Sequence, residues 1–215
     1  MKIHFNFSMQ EKRTEISAIP GRYEAVPLRP VVLYGTPILR NPDRLYVAAA
    51  LLFRNYHSGP LSISDIEPCS RHVALQIERF FAPVDVFVME QTIEPRGNPT
   101  GSFRGILTFS HTVEKLAGVL QSVEGDTVIR FVSEGVGAMF SEQEVIIGTN
   151  LLMDLEASDN IDSDICAHIG AAMLFCEDLQ INTLHILKTN GNEMSLQTLK
   201  SIKELLSAVS LYFEW

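Results

Sequence analysis

The chain predicts an α/β fold: a single domain with a mixed or mainly parallel sheet flanked by helices. Three observations predict it. Short runs rich in β-branched and aromatic residues, such as "VVLYG" and "TVIRFV", alternate with longer stretches of helical period. Apolar residues make up 46% of the 215-residue chain, enough for a sizeable core and too many for a disordered one. No internal repeat or low-complexity tract divides the sequence, so residues 1–215 are expected to form one large domain. Strands that alternate with helices call for a sheet covered by those helices.

At the start, Ile3, Phe5 and Phe7 alternate with His4, Asn6 and Ser8, the period of a half-buried strand, and "RTEISAI" is its hairpin partner. The proline-rich "PGRYEAVPLRP" is an extended connection, and "VVLYG" is the next strand. "NPDRLYVAAALLFRNY" is a helix with Asn41 as N-cap and Pro42 at its first position. Leu45, Ala48, Ala49, Leu52, Phe53 and Tyr56 share one face. Val47 and Leu51 lie elsewhere, so this helix is expected to be buried on more than one side.

"EPCSRHVALQIERFF" starts a second helix at Pro68 and Ser70, with Val73, Ala74, Ile77, Phe80 and Phe81 as its inward stripe. "VDVFVME" reads as a buried-type strand and "EPRGNPTGSFRG" as an exposed loop or hairpin tip. "ILTF" is a strand, and Ser110 caps the helix "HTVEKLAGVLQSV". "TVIRFV" is a strand ending in "SEGVG", and "EVII" is another. "DSDICAHIGAAMLFCEDL" is a helix with Ile165, Ile169, Ala172, Met173 and Cys176 on one stripe. "TLHILK" is a strand, and Ser195 caps a fifth helix through Leu199, Ile202, Leu206 and Val209.

The charge balance excludes some classes of function. A net charge of −9, with 17 basic residues scattered among 26 acidic ones, argues against a nucleic-acid surface. Arg40 and Arg44, one helical turn apart, are the nearest approach to a basic cluster; they read as a solvated face or salt-bridge partners rather than an anion site. "YVAAALLF" is too short to span a bilayer, and no signal-peptide core follows the N-terminus, so a cytoplasmic location away from membranes is expected. Three cysteines without disulfide spacing fit a reducing compartment.

Candidate chemistry is sparse. CxxC, HExxH, G-x-S-x-G and GxxxxGK[ST] are all missing from the sequence. Cys69 and His72, three apart near a helix start, would share a face and could form an ionised nucleophile for acyl or thiol transfer; the plainer reading is a buried cysteine and a surface histidine. Cys166 and His168 point to opposite sides of their helix, whereas Asp164 and His168 read as a surface pair. The acidic run Asp154, Glu156, Asp159, Asp162 and Asp164 lacks the glycine and distal glutamate of a calcium loop, and it favours the helix dipole without a metal. No cofactor is called for. The turn after "TVIRFV" (Ser133, Glu134, Gly135 and Gly137) is a candidate ligand-binding position, because α/β proteins place ligands at the carboxyl ends of their strands.

Several segments, taken in order, resemble the N-terminal half of a ketosynthase of the thiolase fold, in particular the short ketosynthase-like proteins of aryl-polyene and related polyketide pathways. "DRLYVAAALLFRNY" is similar to their long Ala-rich helix. "CSRHVALQIERF" resembles their "SRHGELER" segment at Ser70, Arg71, His72, Glu78 and Arg79 once gaps are allowed. "SHTVEKLAGVL" and "VIRFVSEGVGAMF" resemble the family's helix, central strand and sharp turn, so the likeness covers Arg40 to Phe140. In active members that turn carries the acyl-accepting cysteine, and here it reads Ser133, Glu134 and Gly135. The resemblance therefore implies a non-condensing accessory protein whose partner is an acyl carrier protein or a ketosynthase, in a homo- or heterodimer. The rival readings are a small enzyme using Cys69 and His72, and a plain protein-interaction domain.

Overall fold

The computed structural model describes residues 1–22, 24–25, 29–37, 41–94, 97, 101–109, 125–141, 143–151, 161–186 and 194–215. In chain order its elements are β1 (Lys2–Ser8), β2 (Arg13–Ile19), β3 (Val31–Tyr34), α1 (Pro42–Leu52), β4 (Pro60–Ile63), β5 (Cys69–Ser70) and α2 (Arg71–Phe81). Next come β6 (Phe87–Val88), β7 (Gln91–Thr92), β8 (Phe103–Phe109), β9 (Asp126–Ser133), a one-turn 3-10 helix (Glu134–Val136), β10 (Ala138–Phe140) and β11 (Glu144–Thr149). The last are α3 (Ile161–Cys176), β12 (Ile181–Ile186), α4 (Leu196–Ser207) and β13 (Tyr212–Glu214).

The architecture is α/β, as the sequence predicts: a mixed, mostly parallel sheet flanked by helices. Eleven strands join in the order β13-β12-β8-β9-β11-β3-β2-β1-β4-β6, with β10 on β11 alone. β13, β12, β8, β9 and β11 form one parallel block. The β1-β2-β3 meander is antiparallel, joins that block through Thr149 opposite Leu33, and passes to the parallel β4 and β6 on its far side. β5 and β7 form a separate two-stranded pair.

α1 begins as its sequence dictates. Asn41 is extended, its side-chain oxygen accepts the Arg44 N–H, and Pro42 takes the first turn, where a missing N–H costs nothing. Every residue of α1 is buried, which is the expected burial on more than one side. The reason is a tight antiparallel contact with α3. A Cβ on Gly170 would lie 2.8 Å from the Ala48 carbonyl oxygen and 3.0 Å from the Leu52 nitrogen, so only glycine lets the two backbones approach this closely. The alanines of α1 serve the same closeness. In α2, Ser70 is the N-cap, accepting the Val73 N–H, and the predicted stripe of Val73, Ala74, Ile77, Phe80 and Phe81 is buried.

Some expectations need correction. "VDVFVME" is not a buried strand: only Phe87 and Val88 pair, as an edge strand on β4, leaving Val84, Phe87 and Met89 exposed. A run of apolar residues reads the same whether one face of it is covered or two. β4, β5, β7, β10 and β13 went unpredicted, being too short to show a period. The predicted helix "HTVEKLAGVLQSV" lies outside the described residues, as do Arg40, Asp154, Glu156 and Asp159; the other four predicted helices are present.

Candidate functional site

β9 is an interior strand between β8 and β11, and its exit is a short crossover that carries β10. The chain leaves β9 at Ser133, makes the 3-10 turn, crosses the end of β11, and returns as β10 on the far side of β11 before turning into β11 itself. Two glycines permit this. Gly137 has φ +77°, and a Cβ on Gly148 would sit 2.6 Å from the Gly137 oxygen, which instead accepts the Gly148 N–H. Ser141 closes the return, donating its hydroxyl to the Glu144 carbonyl at 2.9 Å and accepting the Glu144 N–H at 3.0 Å.

The candidate ligand positions Ser133, Glu134 and Gly135 are exposed on this crossover, and Gly137 is half-buried above Gly148. They sit beside an apolar tip: Val136, Met139 and Phe140 are 50%, 62% and 59% exposed. Met139 pairs with Ile146 and Phe140 with Val145, so the two side chains emerge on opposite faces of β10. Phe140 lies near Gly35, whose φ of +134° and closeness to the Phe175 ring both suit a residue without a side chain.

A concavity of about 320 Å³ opens instead at the amino ends of β8, β9 and β11, lined by Phe103, Asp126, Thr127, Ser141, Gln143 and Leu179 among others. The Asp126 carboxylate on its rim is held by Arg104 at 2.7 and 3.2 Å, and Glu214 lies 3.8 Å from the same guanidinium. The sequence alone did not point to these residues, because strand register brings them together from separate segments and no local spacing signals it.

Cys69 and His72 do not share a helical face. Cys69 precedes the N-cap, on β5, and is fully buried with its thiol toward the Ser70 carbonyl, whereas His72 is exposed on α2. The other thiols are also buried. Burial pushes Cys166 up to about 11, although Arg54 donates to its sulfur at 3.4 Å, and pushes Cys176 up to about 12. These are protonated, inert thiols at neutral pH.

His168 is not the surface residue expected. It is buried, its ring set edge-on to Phe131 at 5.5 Å and its Nδ1 bonded to the Asp164 backbone carbonyl at 2.8 Å. Asp162 confirms a structural role for its part of the acidic run: it accepts the Ser195 N–H at 3.1 Å and the Thr198 hydroxyl at 2.7 Å at the start of α4. Burial is the largest single effect on its pKa and raises it, but those hydrogen bonds, with the charge of Arg54, together outweigh it and hold the carboxyl below its usual range. Among the described residues, no group of three or more His, Cys, Asp or Glu side chains is placed to hold a metal.

Arg44 also departs from expectation. It is not solvated, and among the described residues it has no salt bridge; it is buried at the first turn of α1, near the end of α3, where Cys176 and Glu177 act on it through space. Its spacing from Arg40 suggested a surface charge, and only the α1–α3 contact reveals otherwise.

Compared with known proteins, the chain matches no protein-family model, no curated protein and no solved structure.

Proposed function

We propose that this chain is a non-catalytic accessory protein that binds a pathway partner through the crossover at the carboxyl end of β9. The observation that carries the reading is the tip formed by Val136, Met139 and Phe140, three apolar side chains half or more exposed beside Ser133, Glu134 and Gly135. Exposed apolar side chains on both faces of a short edge strand and in the turn before it favour a partner that covers the tip. The buried thiols support the non-catalytic half of the reading, since a covalent acyl carrier needs an accessible thiolate. The partner class, an acyl carrier protein or a ketosynthase, comes from the sequence resemblance alone. A cytoplasmic setting belongs to the same reading; no described helix is long and apolar enough to cross a membrane.

The test is direct binding. Purified chain is titrated with an acylated carrier protein and, separately, with a ketosynthase, and complex formation is followed by calorimetry and size-exclusion chromatography. A complex with either one that Met139→Ser weakens supports the proposal, and no complex with either removes it. Iodoacetamide labelling at neutral pH addresses the enzymatic rival. Cys69 stays unmodified in the folded chain on the present reading, and rapid labelling that His72→Ala abolishes would restore the rival.

A further inference from the structure

We propose that Arg44 is the anion-binding residue of a site at the first turn of α1, taking the oxoanion group (phosphate or carboxylate) of a small ligand. Arg44 is 4% exposed, yet Nε, Nη1 and Nη2 have no hydrogen-bond acceptor among the described residues. A guanidinium presents five N–H donors and keeps its charge at any ordinary pH, so burying it without acceptors is among the costlier arrangements a protein can adopt. The described groups around it do not supply those acceptors. The Asp43 carboxylate is turned toward α2, where it accepts the Ser70 N–H at 2.6 Å. Cys176 is a neutral thiol, and Glu177 acts on the guanidinium only through space.

The helix start adds a second donor. Pro42 has no N–H, the Arg44 N–H goes to Asn41 Oδ1 at 3.2 Å, and the Leu45 N–H goes to the Asn41 carbonyl at 3.2 Å. The Asp43 N–H is left without an acceptor among the described residues, at the positive end of an eleven-residue helix. Side chains on a helix lean toward its N-terminus, which directs the Arg44 fork to the same place. A planar fork near a helix start matches the two or three oxygens of a carboxylate or phosphate, which a guanidinium binds through paired, charge-assisted hydrogen bonds. This inference is independent of the partner reading, since Arg44 lies outside the crossover.

The full chain is melted in inorganic phosphate, in acetate and in chloride at matched ionic strength. The proposal expects phosphate or acetate to raise the midpoint beyond chloride, and whichever does so names the group. Arg44→Met, which removes the buried charge at similar volume, is expected to fold and to lose that response. Equal midpoints in all three salts would mean that the last turn of α3 alone settles the charge, and would overturn the proposal. So would an oxoanion response surviving in Arg44→Met. If that variant does not fold, Arg44→Lys decides: it keeps the charge and loses the fork, so an oxoanion response weaker by about tenfold or more supports the site, and an unchanged response overturns it.

Discussion

On β8, β9 and β11 successive residues point to opposite faces, and the two faces are filled differently. Leu107, Ile129, Phe131, Val145 and Ile147 belong to one continuous core that also includes α1 and α3. On the other face Arg104, Thr108, Asp126, Arg130 and Glu144 are interleaved with Ile106, Val128 and Ile146, which are buried but stand outside that core. Charges there pair across strands: Arg104 with Asp126, and Arg130 with Glu144 at 2.5 Å. One face gains its stability from shape and apolar area, the other from directional contacts between neighbours. The contrast can be broken one residue at a time.

The largest effect is expected on the core face. Phe131 is fully buried against His168, so Phe131→Ala removes a large side chain from a site that helix packing keeps from collapsing. Equilibrium denaturation should show a loss of about 3–5 kcal/mol. A loss below about 1 kcal/mol would mean that the two faces are not as different as their side chains suggest.

Second comes a polar group buried away from both faces' pairing, against an aromatic ring. His57 is buried with its ring edge-on to Phe81 at 5.3 Å, and burial, aided by the nearby N-terminal ammonium, lowers its pKa to about 4. Because the unfolded chain takes up this proton near pH 6.5 and the folded one only near 4, stability falls as the pH drops through that interval. The total is about 3 kcal/mol at most. His57→Leu should flatten stability against pH over the same interval; an unchanged slope would assign it to other groups.

The same contrast explains how much was legible in the sequence. Periodicity found the apolar stripes of α2 and α3 and the strand β1, though Phe7, expected on its inward face, is exposed, and Asn41 and Ser195 marked helix starts by local chemistry alone. Local chemistry says nothing about what packs against an element. Hence Arg44 and His168 read as surface residues, when the antiparallel contact of α1 with α3 and the position of Phe131 bury them. The concavity at the amino ends of the strands was equally hidden, since Phe103, Thr127 and Gln143 meet only through strand register. In the crossover the sequence showed glycines at a turn. That Gly148 must also be glycine, to admit Gly137 above it, depends on a contact eleven residues away along the chain.

A smaller effect is expected on the charged face. Asp126→Asn leaves the shape intact and weakens the paired contact with Arg104, whose side chain is 37% exposed. Solvent screening limits the loss to about 1 kcal/mol, and it should shrink further in high salt. A salt-independent loss several times larger would show that this face, too, is governed by packing.

The smallest effect on stability is expected at the tip, where the two faces run out. Met139 shares the charged face with Ile146, and Phe140 shares the core face with Val145, so β10 exposes one apolar residue from each pattern. Neither set of interactions holds Met139, which is 62% exposed, and Met139→Ser should change stability by no more than about 0.5 kcal/mol. The same substitution should weaken partner binding, because its apolar area is free to be covered. Thermal melting and calorimetry on one preparation separate the two. A variant that melts normally but no longer binds places Met139 in the interface, whereas one that binds as before removes this tip from it. A variant that melts early would mean that β10 is held to the sheet by its side chains as well as by its pairing with β11.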